Sequence, residues 1–266
     1  MNVQVGAGSV QMPGFLNVDI RPGPAVDFVG HAGRLSGVEN GSVQTLFSHA
    51  VYEHIYIGNQ IAVLREWKRV IAPDGLIVCI GLPDFSVIAR LYIERGPGVV
   101  GSRFDLLNVY RYTHGEPEHA VAPIWQTWEP TAGRRAAPPG YIPQLHKGIF
   151  DPPYVAALLR EVGLCGTIFN YSYPGESQRL NLGFVASAST IDPGLEAVKS
   201  ALTRVPNAGR FVTEDSIAVC NTSNNDNADQ MLLFAKRLDE TPAPQRGLVR
   251  RAARKISRLL RVASPK

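Results

Sequence analysis

At 266 residues, 45% of them hydrophobic, the chain can bury a sizeable core and is long enough for one domain plus an extension. The formal net charge of +4 hides an asymmetry: eight of the 27 basic residues follow Pro244 and no acidic residue follows Glu240, leaving 19 basic against 23 acidic residues in the body, a net of −4. That argues against a nucleic-acid-binding body. With no apolar run of membrane-spanning length and no basic-then-apolar leader, a cytoplasmic protein is expected.

In chain order, Val3 and Val5 mark a strand that runs into a glycine-rich turn, Gly6-Ala7-Gly8, and a second strand from Phe15 ends on Asp19. A turn at Arg21-Pro22-Gly23-Pro24 leads to a short strand, Val26 to Val29. A loop from Leu35 to Gly41 precedes a buried strand, Val43 to Ser48. Asn59 is placed to cap a helix from Gln60 to Ile71, whose Ile61, Leu64, Trp67, Val70 and Ile71 recur at helical spacing. Pro73-Asp74-Gly75 reads as a turn, Leu76 to Leu82 as a strand covered on both faces, and Phe85 to about Glu94 as a helix. After residues 96–147, where periodicity lapses, a helix from Val155 to Val162 precedes two closing strands, Leu164 to Tyr171 and Leu180 to Ala188, joined through Pro174-Gly175 as an antiparallel end. Strands alternating with helices predict an α/β fold, a Rossmann-like doubly wound and mostly parallel sheet that binds ligands at the carboxyl ends of its strands. Cys79, Cys165 and Cys220 form no metal or redox spacing, and the first two, in apolar segments, are expected to be buried thiols.

Strand, Gly-x-Gly, strand, acid is the layout of a nucleoside site: the glycines admit a ligand close to the backbone and the carboxylate accepts from ribose hydroxyls. A dinucleotide would want G-x-G-x-x-G opening a helix for its pyrophosphate, but Gln11 stands where the third glycine belongs and Pro13 interrupts the run. S-adenosylmethionine (SAM) has adenine and ribose but no phosphate, so it loses less by the missing helix.

The ordered set Gln4-Val5-Gly6-Ala7-Gly8, Asn17-Val18-Asp19-Ile20, Ser48-His49-Ala50-Val51-Tyr52-Glu53-His54, Leu64 to Gly75, and Lys147-Gly148-Ile149-Phe150 resembles the compact class I SAM-dependent methyltransferases, of the methyltransferase type 11-like kind, with a shortened first crossover. The resemblance covers residues 1–188. It implies that Gly6 and Gly8 shape the cofactor loop, that Asp19 holds the ribose, that His31 and Ala32 stand at the adenine edge, and that Ser48 and His49 lie near the methionine part or the methyl group. The chain departs from the family pattern in Gln4, Ala7, His31 and Gln44.

Residues 96–147 gather Arg103, Tyr110, Tyr112, His114, Trp125, Trp128, Arg134, Arg135 and His146 among many prolines, the make-up of a substrate lid suited to a sugar-like acceptor. Beyond Ala188 the pattern thins: Asn221 to Asp229 reads as a polar loop and Met231 to Leu238 as a short helix. Gly247 to Val262 reads as a basic amphipathic helix, suited either to an anionic membrane surface or to docking or a solvated tail. Methyl transfer to a hydroxyl benefits from a base, and of His49, His54, His114 and His146 the first two are best placed, after a carboxyl-end strand. No histidine or carboxylate pair shows metal-ligand spacing. The expected activity is O-methylation of a saccharide or glycolipid, a setting in which the family is often found. The rival is a catalytically silent relative that keeps the fold as a scaffold.

Overall fold

The computed structural model describes residues 1–94, 109, 112–113, 146–189, 194–223 and 226–240. Its centre is an eight-stranded sheet in the order β3-β2-β1-β4-β5-β7-β6-β8. Strands β1 (Asn2–Val5), β2 (Phe15–Asp19), β3 (Phe28–Val29), β4 (Val43–His49) and β5 (Ile71–Pro83) pair in parallel. β7 (Asn181–Ser187) runs antiparallel between β5 and β6 (Cys165–Tyr171), and β8 (Ala218–Val219) adds an antiparallel edge to β6. The sheet is therefore Rossmann-like and mostly parallel with an antiparallel closing strand, as expected from the alternation of elements.

The pleat sorts side chains onto two faces. Leu46 of β4, Ile77 and Cys79 of β5 and Phe184 of β7 meet helices α1 (Ile57–Val70), α3 (Pro152–Glu161) and α5 (Asp226–Glu240) through Ile61, Leu64, Trp67, Tyr154, Leu158 and Ala235. Their neighbours Phe47, Val78, Ile80 and Val185 face the other way, onto Met12, Phe15 and α4 (Leu195–Thr203) with Val198 and Ala201. α2 (Phe85–Glu94) leaves β5 directly and buries Ile88 and Leu91 against Leu180.

Between β1 and β2 there is no helix, and a network stands in for one. Asn17 receives the Met12 N–H at 2.8 Å and donates to Asp27 at 2.7 Å, so one buried amide holds both the loop before β2 and the turn after it.

Several boundaries differ from the sequence reading. α1 begins at Ile57, with Tyr56 at the cap position and no side-chain cap, so Asn59 lies inside the first turn. Pro73-Asp74-Gly75 does not end an element but sits within β5, where the register against β4 shifts between Val43 and Thr45: an irregular stretch of strand absorbs the turn residues. α3 starts earlier than expected, since the Asp151 carboxylate accepts the Tyr154 N–H at 2.8 Å and prolines fill its first positions, an ideal N-terminus. α5 absorbs the end of the polar run expected to be a loop, and α4 and β8 went unread. Cys165, expected to be buried, is exposed at the start of β6. The expected lid, save its few described residues, and the basic C-terminal helix lie outside the described residues. Among the described residues no helix is long and apolar enough to cross a membrane.

Candidate functional site

A cavity of about 360 Å³ opens at the carboxyl ends of β1, β2 and β4, where a parallel sheet exposes its strand ends. Gly6, Gly8, Asp19, His31, Ala32 and His54 line it, together with Ala50, Val51, Tyr56, Asn59 and Lys147. Five of the seven expected cofactor positions thus converge on one space, Gly6, Gly8, Asp19, His31 and Ala32, with the candidate base His54 beside them.

Gly6 and Gly8 have φ of +78° and +56°, in the left-handed region that favours glycine. A Cβ on Gly6 would stand 2.0 Å from Val51 Cγ2, whereas one on Gly8 would meet no protein atom within 4 Å; the second glycine faces room that a ligand can fill. Asp19 ties the loop down. Its Oδ2 accepts the Gly8 N–H and its Oδ1 the Arg21 N–H, both at 2.9 Å. A carboxylate has about four acceptor sites, so Asp19 keeps acceptor capacity beyond these two bonds, with the Arg21 guanidinium 3.9 Å from Oδ1.

His31 adds a feature that its residue type alone does not give. Its Nδ1 accepts the Gly33 N–H at 3.0 Å, which in the neutral imidazole leaves the proton on Nε2. This side of the cavity therefore presents a donor rather than a carboxylate acceptor. α1 holds this wall in place: Trp67 Nε1 donates to the Ala32 carbonyl at 3.0 Å, and Glu66 accepts the Leu35 N–H at 2.7 Å. Arg69 reaches the Val38 carbonyl at 3.0 Å, while its bond to Glu66 lowers the Glu66 carboxyl pKa.

The chain turns over the cavity at Ala50, a non-glycine residue at φ 50° whose N–H donates to the Ile80 carbonyl at 3.0 Å. Such a conformation costs roughly 1–2 kcal/mol and persists only where its surroundings fix it. A single 3₁₀ turn, Tyr52–His54, follows. Glu53 is 2% exposed, and burial pushes its carboxyl up to about 8. Its Oε1 stands 3.6 Å from His54 Nε2. The Glu53 carbonyl accepts both the Lys147 N–H at 2.7 Å and the Gly148 N–H at 3.1 Å, which stitches the segment before α3 to this turn. Lys147 leans over the Tyr56 ring, 5.2 Å from its centroid, and burial lowers its pKa.

Ser48 and His49 are placed differently. Neither is on the cavity wall; Ser48 is fully buried, and His49 turns to the opposite side, its ring tilted against Phe211 with centroids 4.4 Å apart and its Nε2 3.0 Å from the Tyr173 hydroxyl. Desolvation there holds the His49 imidazole down to about 4. Of the two candidate bases, only His54 lines the cavity. Tyr56, Asn59 and Lys147 were not expected as site residues; their one signal was position, just after the Glu53-His54 pair or opening the Lys147-Gly148-Ile149-Phe150 run. The fold also brings Glu53, His54 and His146 together, with one ligand-capable atom of each within 4.8 Å of the others, a grouping that no spacing along the chain announced.

No protein-family profile matches the sequence, and no curated protein matches it. Solved structures do. The chain is similar to a SAM-dependent methyltransferase of Thermotoga maritima, at 11% identity over 71% of this chain and 81% of that one, with a TM-score of 0.41. It is also similar to the Burkholderia thailandensis 1,6-didemethyltoxoflavin-N1-methyltransferase with bound 1,6-didemethyltoxoflavin and S-adenosylhomocysteine, at 13% identity over 69% of this chain and 68% of that one, with a TM-score of 0.41. A third likeness, to the CMeT domain of the citrinin polyketide synthase, has 12% identity and a TM-score of 0.38; it covers 71% of this chain but 46% of that one, so the chain spans less than half its length. By its own strand order, with β7 antiparallel between β5 and β6, this chain has the class I SAM-dependent methyltransferase fold.

Proposed function

We propose that the protein is a SAM-dependent methyltransferase acting on a hydroxyl of a saccharide or glycolipid. One observation carries the cofactor half: the Gly6–Gly8 loop and Asp19 frame a cavity at the strand ends, and no helix follows that loop to receive a pyrophosphate. Bound there, SAM supplies a sulfonium methyl group, which passes to the acceptor oxygen as the C–S bond breaks and leaves a thioether. The chain's own part is positioning. Asp19 has acceptor capacity for ribose hydroxyls, and His31 offers Nε2–H to a ring nitrogen of adenine. His54, on the wall, takes the acceptor's proton. The acceptor half rests on the aromatic, arginine and histidine content of residues 96–147. The basic tail after Pro244 would favour the anionic membrane surface where glycolipids are assembled.

Calorimetric titration with SAM, S-adenosylhomocysteine and NAD tests the cofactor. Micromolar binding of the first two is expected. Asp19→Ala should weaken it by about 2 kcal/mol, or roughly thirtyfold, the loss of hydrogen bonds to a charged acceptor. Binding of NAD alone would overturn the reading, and binding of none would leave a silent scaffold. Transfer of labelled methyl groups to envelope glycans tests the acceptor; equal incorporation into glycan-free extracts would overturn that half.

A further inference from the structure

We propose that Glu53, His54 and His146 form a binding site for a divalent transition-metal ion of the zinc class, behind the cavity wall that His54 lines. The site does not depend on the methyltransferase reading.

The three residues are held together by backbone. Glu53 and His54 belong to the 3₁₀ turn after β4, and the N–H groups of Lys147 and Gly148 both bond to the Glu53 carbonyl, which fixes His146 alongside. The two imidazole rings lie edge to face with centroids 5.0 Å apart. A ligand-capable atom of each of the three residues lies within 4.8 Å of the others. Atoms bound to one zinc at about 2.0–2.2 Å sit roughly 3.3 Å from each other, so modest rotation of the two rings brings the set into bonding range.

Two independent features point to a cation. First, His146 Nδ1 lies 3.0 Å from the Tyr112 carbonyl. A carbonyl only accepts, so Nδ1 carries the proton and the lone pair of the neutral ring is on Nε2. An imidazole that donates its other N–H to a backbone carbonyl is the usual support of a metal-ligating histidine. Second, Glu53 Oε2 is buried without a hydrogen-bond partner among the described residues. Its other oxygen is 3.6 Å from His54 Nε2, too far for a hydrogen bond. An ion bound beside it would satisfy the buried Oε2. Two nitrogens and one carboxylate suit zinc or its transition-metal neighbours rather than magnesium or calcium, which want oxygen. Three protein ligands leave a coordination position open, and His54, which lines the cavity, sets the site beside it. Ion and proton then compete for the His54 lone pair, so zinc is expected to suppress turnover that uses His54 as base; that corollary alone rests on the methyltransferase reading.

The test is calorimetric titration of the chelator-stripped full chain with zinc chloride, then with magnesium chloride, then with S-adenosylhomocysteine. One zinc per chain and no response to magnesium are expected. His146→Ala should weaken zinc by at least about tenfold and leave S-adenosylhomocysteine binding unchanged, because His146 is not on the cavity wall. No zinc binding, or binding that His146→Ala leaves intact, would overturn the site. Cobalt(II) added to the wild-type chain gives a second readout that needs no variant: intense visible absorption of a four- or five-coordinate ion supports the site, and the weak bands of the hexaaqua ion overturn it. Failure of S-adenosylhomocysteine to bind while zinc does would count against the cofactor reading only.

Discussion

His49 and His54 are five residues apart in the same exit from β4, yet they occupy opposite environments. His49 ends the strand and turns into an aromatic cleft of Tyr173 and Phe211, where burial suppresses its charge. His54 closes the next turn, beside a buried carboxylate and on the cavity wall. The left-handed step at Ala50 separates them by taking the chain from one side of the sheet end to the other. The lesson is that being a histidine at a strand's carboxyl end does not make a base; what surrounds the ring decides whether it can exchange a proton near neutral pH.

The largest effect should come from filling the cavity side. Gly6→Val puts a β-branched residue at φ +78° and a Cβ against Val51, so S-adenosylhomocysteine binding should fall below detection and the chain should lose about 2 kcal/mol of stability. Calorimetry and a thermal melt check both, and wild-type affinity would remove the loop from the site.

The other side of the comparison is read by pH. Folded His49 titrates at about 4 against 6.5 for the free side chain, so between those values the unfolded chain binds a proton that the folded one refuses. Its stability contribution is whole above pH 6.5 and is lost as pH falls to 4, by up to about 3 kcal/mol. His49→Gln, which keeps a partner for Tyr173 but does not titrate, should flatten urea-unfolding stability across that window without touching S-adenosylhomocysteine affinity. An unchanged slope would mean that His49 is solvated and that the contrast with His54 fails.

The smallest effect belongs to His31 on the cavity wall. His31→Ala removes one donor and should weaken S-adenosylhomocysteine by about 1 kcal/mol, near fivefold, in the same titration. No change would mean that Nε2 does not reach the base.

Much of this was legible in the sequence, and the failures have causes. β4 and β5 announce themselves by apolar runs, and the glycine loop with Asp19 by residue types that few other local structures require. Ser48 and His49 lie off the cavity wall because the pairing of β4 with its neighbours fixes where its last side chains point, and the residue types alone do not say which side that is. The Glu53, His54 and His146 cluster was invisible because 92 positions separate its last two members. α5 was masked by its own first turn: Asp226 and Asp229 suit a helix N-terminus electrostatically, but beside asparagines they read as a polar loop. Cys165 followed its apolar neighbours in sequence, yet β6 buries its side chains only from Thr167 onward.

The helix-free link between β1 and β2 has a kinetic side. Nine residues join these two parallel strands, whereas β1 meets its other neighbour, β4, only after a loop that begins at Gly6 and ends at Ser42. Loop-closure entropy grows with the logarithm of length, so the β1–β2 pair, with Asn17 already gripping both of its loops, is the cheaper contact to form first. The floor of the cavity can thus assemble as a local unit before the long-range half of the sheet arrives to wall it in.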